Sequence, residues 1–285
     1  GGLAVQFPGP SQLVLRHNDE ETTHNFDCVF GPEATQAQIF SALGEPPLEK
    51  AFEGYNGAIL AYGQTGSGKT HTMLKQGDEE NRGLIPRFND GLYQRVAKLT
   101  QEHETRRFLV ECSFIEIYNE IIHDLLVPGG KQMRGGAGLE VREQSGIGTY
   151  VKDLTETVVD HPQRLEQLIT EGLVHRVTGA TQANVASSRS HCILTLTIHQ
   201  KDSADISKNT VSKFHLVDLA GSERAKTSDG EGRRLTEGAN INKSLSALGH
   251  VVNALSAPAV DGKKAFVPYR DSKLTRVLQD SLGGN

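Results

Sequence analysis

The residues most capable of chemistry lie in one glycine-rich octet. Gly63, Gln64, Thr65, Gly66, Ser67, Gly68, Lys69 and Thr70 read GQTGSGKT, which fits the GxxxxGK[ST] spacing of a phosphate-binding loop. The three glycines admit backbone angles closed to other residues, so successive N–H groups turn inward on a phosphate. Lys69 supplies a point charge for the β and γ phosphates, and the Thr70 hydroxyl is a ligand for Mg²⁺. An apolar run before the octet reads as a strand. The HTML that follows, from His71, reads as a helix whose N-terminus adds partial positive charge. A glycine turn with an accidental lysine is the competing reading, and the strand-loop-helix context disfavours it. The chemistry implied is the binding of a nucleoside triphosphate with magnesium.

Hydrolysis needs more than a phosphate cradle. It needs a second metal contact and a group that orients water. The apolar run FHLV, Phe214 to Val217, ends at Asp218 and opens the segment DLAGSE. A carboxylate at a strand end beside the loop reaches Mg²⁺ through water, and Gly221 offers a backbone N–H to sense a γ-phosphate. Taken alone, the same residues read as a strand ending in a solvated Asp and a glycine turn. A second segment, NVASSRSH from Asn184 to His191, has four small hydroxyls or amides and one arginine in eight residues. Alone it reads equally well as a Ser-rich surface loop. In company it completes the three parts that phosphoryl transfer requires, with Arg189 and Glu223 as a charge pair across the γ-phosphate.

The elements that must position these groups alternate strand-like and helical patterns, which favours an α/β layered domain. Ala58 to Tyr62 and Phe108 to Tyr118 read as strands, the second giving way at Asn119 and Glu120 to a helical pattern ending near Leu126. Ile193 to His199 alternates as a half-buried strand. Asp160, Pro162 and Gly172 have the order of helix start and stop signals. Ile241, Leu245, Leu248, Val252 and Leu255 recur at helical spacing, as do Leu274, Val277 and Leu278. The longest loops are expected at Leu74 to Gly83, Pro128 to Gly138 and Ala225 to Gly238. None has the composition of a domain linker, so residues 1–285 read as one domain, and a chain of 285 residues buries a sizeable core.

A formal charge of −5 argues against a globally basic nucleic-acid binder, so an acidic partner would have to meet a local basic patch. The three cysteines, Cys28, Cys112 and Cys192, lie far apart without CxxC spacing and read as reduced core thiols. No apolar run approaches the ~18 residues of a membrane span.

The segments resemble those of kinesin motor domains. GQTGSGKTHTM is similar to the family's phosphate loop, SSRSH to its switch I and DLAGSE to its switch II. EGYNG (Glu53 to Gly57), SFIEIYNE (Ser113 to Glu120), GANINKSLSALG (Gly238 to Gly249) and VPYRDSKLTRVLQDSLGGN (Val267 to Asn285) follow in the family's order, covering most of the chain from about Phe26. The resemblance implies a phosphate-loop NTPase fold with a central, mostly parallel or mixed sheet flanked by helices on both faces. It implies ATP and Mg²⁺ as ligands and a microtubule-stimulated ATPase in the cytoplasm, on the microtubule cytoskeleton. By position, Ser188 and Thr70 would ligate Mg²⁺ with Asp218 behind them. Ser187 would hold the attacking water, and Arg189 and Glu223 would close as a salt bridge and carry the proton relay. Gly221 would sense the γ-phosphate, and His71 would pack near the adenine. The run from about Asn240 to Leu255 would act as a relay against the track.

The microtubule surface is acidic, so the resemblance calls for a basic face. Between Ser256 and Gln279, Lys263, Lys264, Arg270, Lys273 and Arg276 stand against Asp261 and Asp271. Arg270, Lys273 and Arg276 recur every three residues on a helix whose apolar stripe is Leu274, Val277 and Leu278, so they lie off the core face. A merely solvated helix face is the alternative. Arg224, Lys226, Arg233, Arg234 and Lys152 are weaker candidates, and Lys131 and Arg134 fit a bland glycine-rich surface. The family's N-terminal Arg-x-Arg-Pro segment, which cups the adenine, is not found, and the chain stops where the family continues into a last helix and neck linker. It reads as trimmed at both ends, with dimerisation left to segments it lacks and no membrane or nucleic-acid contact expected of it. A phosphate-loop GTPase is disfavoured because no NKxD occurs: Asn242-Lys243 is followed by Ser244-Leu245. A microtubule depolymerase and a microtubule binder with little ATPase activity remain as alternatives within the family.

Overall fold

A computed structural model describes residues 5–17, 20–127, 138–179, 188–223, 232–258 and 265–283. At its centre is a six-stranded mixed sheet. Its strands are β4 (Gly57–Ala61), β5 (Arg106–Tyr118), β6 (Ile121–Asp124), β9 (Thr157–Val159), β10 (Ser190–Asp202) and β11 (Thr210–Asp218). The order is β4-β11-β10-β5-β6, with β9 also on β5. β4 and β11 run parallel, and the other described pairs of this sheet are antiparallel. A small three-stranded sheet, β1 (Val5–Gly9), β2 (Gln12–His17) and β3 (Glu20–Asn25), and a hairpin of β7 (Val141–Gln144) and β8 (Gly148–Val151) stand apart from it.

Helices cover both faces of the central sheet. On one face lie α2 (Glu45–Phe52), α3 (Lys69–Leu74), α4 (Leu84–Glu102) and α5 (Pro162–Gly179), with α1 (Gln36–Leu43) packed behind them. They bury Phe88, Leu92, Leu165 and Ile169 against Cys112, Phe114, Leu194, Leu196, Phe214 and Leu216. The rings of Phe88 and Phe214 stack 4.5 Å apart and tie α4 to β11. On the other face, α6 (Gly232–Ser256), α7 (Lys273–Val277) and α8 (Gln279–Gly283) cover Ile115, Ile117, Ile193, Val217 and Leu219. The strand period of two sends alternate residues into these two cores. β10 is therefore buried on both sides rather than half-buried, as a central strand between two helix layers must be.

Three local expectations change. Asn119 and Glu120 do not start a helix. They take φ 54° and 61°, the left-handed pair of a two-residue hairpin turn, and join β5 to β6 with Tyr118 opposite Ile121. Gly172 does not end α5, which runs on to Gly179. A Cβ there would meet the buried Phe114 ring and Leu125, so this glycine serves close helix–sheet packing. The loop after β11 gives way to helix by Gly232, so α6 starts about two turns before the expected Asn240. Cys112 and Cys192 are buried thiols as expected, but Cys28 is exposed. Among the described residues no helix is long and apolar enough to cross a membrane.

His215, at the middle of β11, is 5% exposed and shares a hydrogen bond of 2.9 Å with Thr195 Oγ1. Burial, then the charge of Lys213, lowers its pKa from 6.5 to about 4. The unfolded chain takes up this proton near pH 6.5 and the folded chain only near 4. Stability is therefore full above 6.5 and falls with pH through that window, by about 3 kcal/mol for this group. Urea denaturation between pH 7 and 4.5 should show the slope, and His215→Asn should remove roughly half of it, because the buried His191 is lowered to about 4 as well; an unchanged slope would remove His215 as a source.

Candidate active site

The site is assembled where β4 and β11 end side by side. In their parallel register Ala61 lies opposite Asp218, so the loop leaving β4 and the carboxylate ending β11 share one edge. Gly66 and Gly68, at φ 80° and 92°, turn the loop through backbone angles that favour glycine. Lys69 begins α3 and its Nζ donates to the Gly63 and Gln64 carbonyls, each at 2.9 Å. The lysine therefore lies over the loop's mouth, where the octet's charge is wanted.

Thr70 Oγ1 donates to Asp218 Oδ2 at 2.6 Å. Asp218 is 2% exposed, and its Oδ1 has no hydrogen-bond partner among the described residues. Burial raises its pKa, while the Thr70 hydroxyl and the charges of Arg176 and Lys69 pull the other way. A buried carboxylate oxygen without a partner is costly unless something cationic meets it. The donor pair of hydroxyl and carboxylate is hard oxygen, which suits Mg²⁺. The residues present thus fit a magnesium ion.

Of the two switch-like segments, the one after β11 is bonded to the loop and the one before β10 is bonded to it in turn. Gly221 N–H donates to the Ser188 carbonyl at 2.9 Å, and Ser222 N–H donates to the Gly63 carbonyl at 3.1 Å. Glu223 accepts from the Thr65 N–H at 2.8 Å through Oε2 and from the Thr65 hydroxyl through Oε1. Burial works against its charge, but these bonds and Lys69 hold the Glu223 carboxyl below its ordinary pKa. In this structure, then, both Glu223 oxygens lie on Thr65 rather than on Arg189. Arg189 is half-buried immediately before β10, next in the chain to Ser188, whose carbonyl holds Gly221. Ser187, Arg224, Lys226, Lys131, Arg134, Lys263 and Lys264 lie outside the described residues.

His71 faces Gln36, whose Nε2 lies 3.0 Å from His71 Nδ1 and donates to the His71 carbonyl at 3.2 Å. This pins the start of α1 beside α3. Of the basic candidates, Lys273 and Arg276 lie on α7, with the Lys273 N–H held by Glu120 Oε2 at 2.9 Å. Arg270 is not on that helix. It lies in a 3₁₀ turn, Tyr269–Asp271, its side chain 80% exposed and 3.4 Å from Glu143. Ser272 breaks the expected continuous helix because its extended backbone and hydroxyl cap α7, accepting from the Thr275 N–H. Lys152 pairs with its neighbour Asp153.

Behind the site lies a buried polar cluster that motif reading did not single out. Arg176, on α5, is 4% exposed and reaches Glu116 at 3.3 Å, Ser190 Oγ at 3.1 Å, the Ser190 carbonyl at 3.2 Å and Asp218 at 3.8 Å. Ser190 Oγ donates to Glu116 Oε1 at 2.6 Å. The signal for it was a charged residue, Glu116, inside the apolar run SFIEIY. A buried carboxylate demands a partner, but sequence spacing does not say that the partner is sixty residues on.

A phosphate loop, an adjoining strand-end carboxylate, one segment hydrogen-bonded to that loop and a second bonded to the first define the class as a phosphate-loop NTPase. A family model described as the kinesin motor domain matches residues 9–285. The chain belongs to the kinesin motor domain family, a family of microtubule-based motors. It is 45% identical over 278 residues to kinesin-like protein KIN-12B of Arabidopsis thaliana, covering 93% of this chain and 21% of that protein. It is 48% identical over 298 residues to kinesin-like protein KIF13A of Mus musculus, covering 100% of this chain and 16% of that one. The chain thus spans about a fifth of the length of these curated relatives. Among solved structures it resembles a fast kinesin, with TM-score 0.85, 38% identity and coverage of 98% of this chain and 75% of that one. It also resembles the motor domain of a Kar3-like kinesin from Ashbya gossypii, with TM-score 0.80 and 34% identity, covering 98% of this chain and 81% of that one.

Removing the Arg176 guanidinium while leaving its carboxylates buried should be severe. Arg176→Met is expected to cost about 3–5 kcal/mol in urea denaturation; a loss within ~0.5 kcal/mol would mean that the cluster contributes no net stabilisation.

Proposed function

We propose that this chain is a microtubule-stimulated ATPase that couples hydrolysis of Mg-ATP to movement along microtubules. The observation that carries the reading is the joint between the Glu223 segment and the phosphate loop, beside a buried Asp218 oxygen that no donor among the described residues meets. The loop N–H groups and Lys69 would bind the β and γ phosphates. Thr70, Ser188 and Asp218 would hold Mg²⁺, Asp218 through water. Bound there, the ion would neutralise charge that develops on the phosphates. His71 and the Gln36 that orients it would lie toward the base.

In the catalytic arrangement Glu223 would exchange Thr65 for Arg189, closing the two segments over the γ-phosphate. Ser187 would then hold the attacking water, and Glu223 would take its proton through the relay. Gly221 would exchange the Ser188 carbonyl for a γ-phosphate oxygen. Its N–H is already satisfied by Ser188, so the exchange trades one hydrogen bond for a charge-assisted one. Arg270, Lys273 and Arg276, with Arg224 and Lys226 of the preceding segment, would face the acidic tubulin surface.

ATP turnover with and without polymerised tubulin tests the reading directly. Strong stimulation is expected. Glu223→Ala should lower the stimulated rate by about a hundredfold with nucleotide still bound, and an unchanged rate would sink the Glu223 assignment. Turnover with shortening of the polymer would favour a depolymerase instead.

The basic face predicts a second outcome. Arg270→Ala combined with Lys273→Ala should weaken microtubule affinity about tenfold at low salt, with the difference shrinking as salt is raised. Equal binding at low salt would remove α7 and its preceding turn from the interface.

A further inference from the structure

His191 closes the SSRSH segment, yet none of the roles above uses it. Its side chain is 2% exposed and both ring nitrogens are engaged by other elements. Nδ1 accepts from the Ala220 N–H at 3.1 Å, one residue before Gly221. Nε2 lies 2.7 Å from the Ser244 hydroxyl, on α6. Because Nδ1 accepts, the proton sits on Nε2 and is donated to Ser244. Burial, then the charge of Arg176, lowers the imidazole pKa to about 4, so the ring is neutral near pH 7.

The two joints differ in kind from the packing around them. α6 packs through Leu248 and the half-buried Leu245 on the core that holds Ile193, Val217 and Leu219, and such apolar contacts are without direction and tolerant of small slides. The His191–Ser244 bond is directional and weakens steeply when donor and acceptor misalign. Ser244 lies one turn before Leu248, so its hydroxyl leaves the same helix face that meets the sheet. The planar ring has no internal freedom between its nitrogens. A displacement of the Ala220–Gly221 backbone must therefore either carry Ser244 with it or break one of two buried bonds.

We infer that His191 is a positioning residue that couples the Ala220–Gly221 backbone to helix α6 through a rigid imidazole bridge to Ser244. The inference rests on the reading of Gly221 as the γ-phosphate sensor, but not on microtubule binding. It makes the hydroxyl of Ser244 a point at which a change at the phosphate enters the helix.

The test is amide hydrogen exchange over residues 245–255, with and without a non-hydrolysable ATP analogue and Mg²⁺. The parent chain should show an analogue-dependent change in protection there. In Ser244→Ala that change should shrink at least about fivefold while analogue affinity stays within about threefold, the size expected for one buried hydrogen bond. His191→Asn should shrink it likewise, and the double variant should lose no more than either single one, since both remove the same joint. A purely structural role would instead lower the unfolding midpoint without uncoupling exchange from the analogue. A full response in Ser244→Ala, additive losses, or no response in the parent would overturn the inference. An intact response in a chain whose turnover tubulin does not stimulate would count against the proposed function and leave this coupling standing.

Discussion

The parallel pairing of β4 with β11 is the constraint on which the rest of the structure depends. It sets Ala61 opposite Asp218 at the carboxyl ends of both strands, where open α/β sheets place their ligand sites. A one-residue slip would turn the Asp218 side chain to the other face of the sheet. The slip is prevented by packing. Phe214 and Leu216 face the α2–α5 layer, while Val217 and Leu219 face the α6–α7 layer. The hydrophobic register of β11 thus fixes the position of a carboxylate, and with it the bond from Thr70 to Asp218.

Around that edge, charge is handled by pairing rather than by exposure. Arg176 is surrounded by Glu116, Asp218 and two atoms of Ser190, all from different elements. A buried network of this kind adds little net stability over an apolar core, but a half-satisfied one is very costly. It therefore narrows the arrangements that β5, β10, β11 and α5 adopt together. His191 does the same for the next layer, neutral where Arg176 is charged. Between them, the two side chains tie the start of β10 to β5, to α5, to the end of β11 and to α6.

The hydrogen bonds of the switch-like segments describe a site whose donor and acceptor are already occupied. Gly221 gives its N–H to Ser188, and Glu223 rests on Thr65. Exchange among similar partners has small free-energy differences, because each bond broken is replaced. That is the physical setting in which one phosphate group can shift a population.

Much of the site is legible in the amino-acid sequence. The octet, the FHLVD strand end and the SSRSH segment are readable because their chemistry depends on local spacing: glycine angles, a lysine next to a threonine, a carboxylate at the end of an apolar run. The central strands are readable from their apolar content and period, and membership of the family from seven segments in order. What the sequence leaves open is whatever depends on contacts between distant residues. The Asn119-Glu120 turn looks helical because glutamate favours helices, and only pairing of β5 with β6 makes its left-handed angles worthwhile. Gly172 looks like a helix stop, and only the Phe114 ring beneath it explains a glycine inside α5. The partners of Glu116, Asp218, Glu223 and His191 are invisible for the same reason. A motif states which groups are available, whereas burial decides which of them must find one another, and burial is a property of the packed chain.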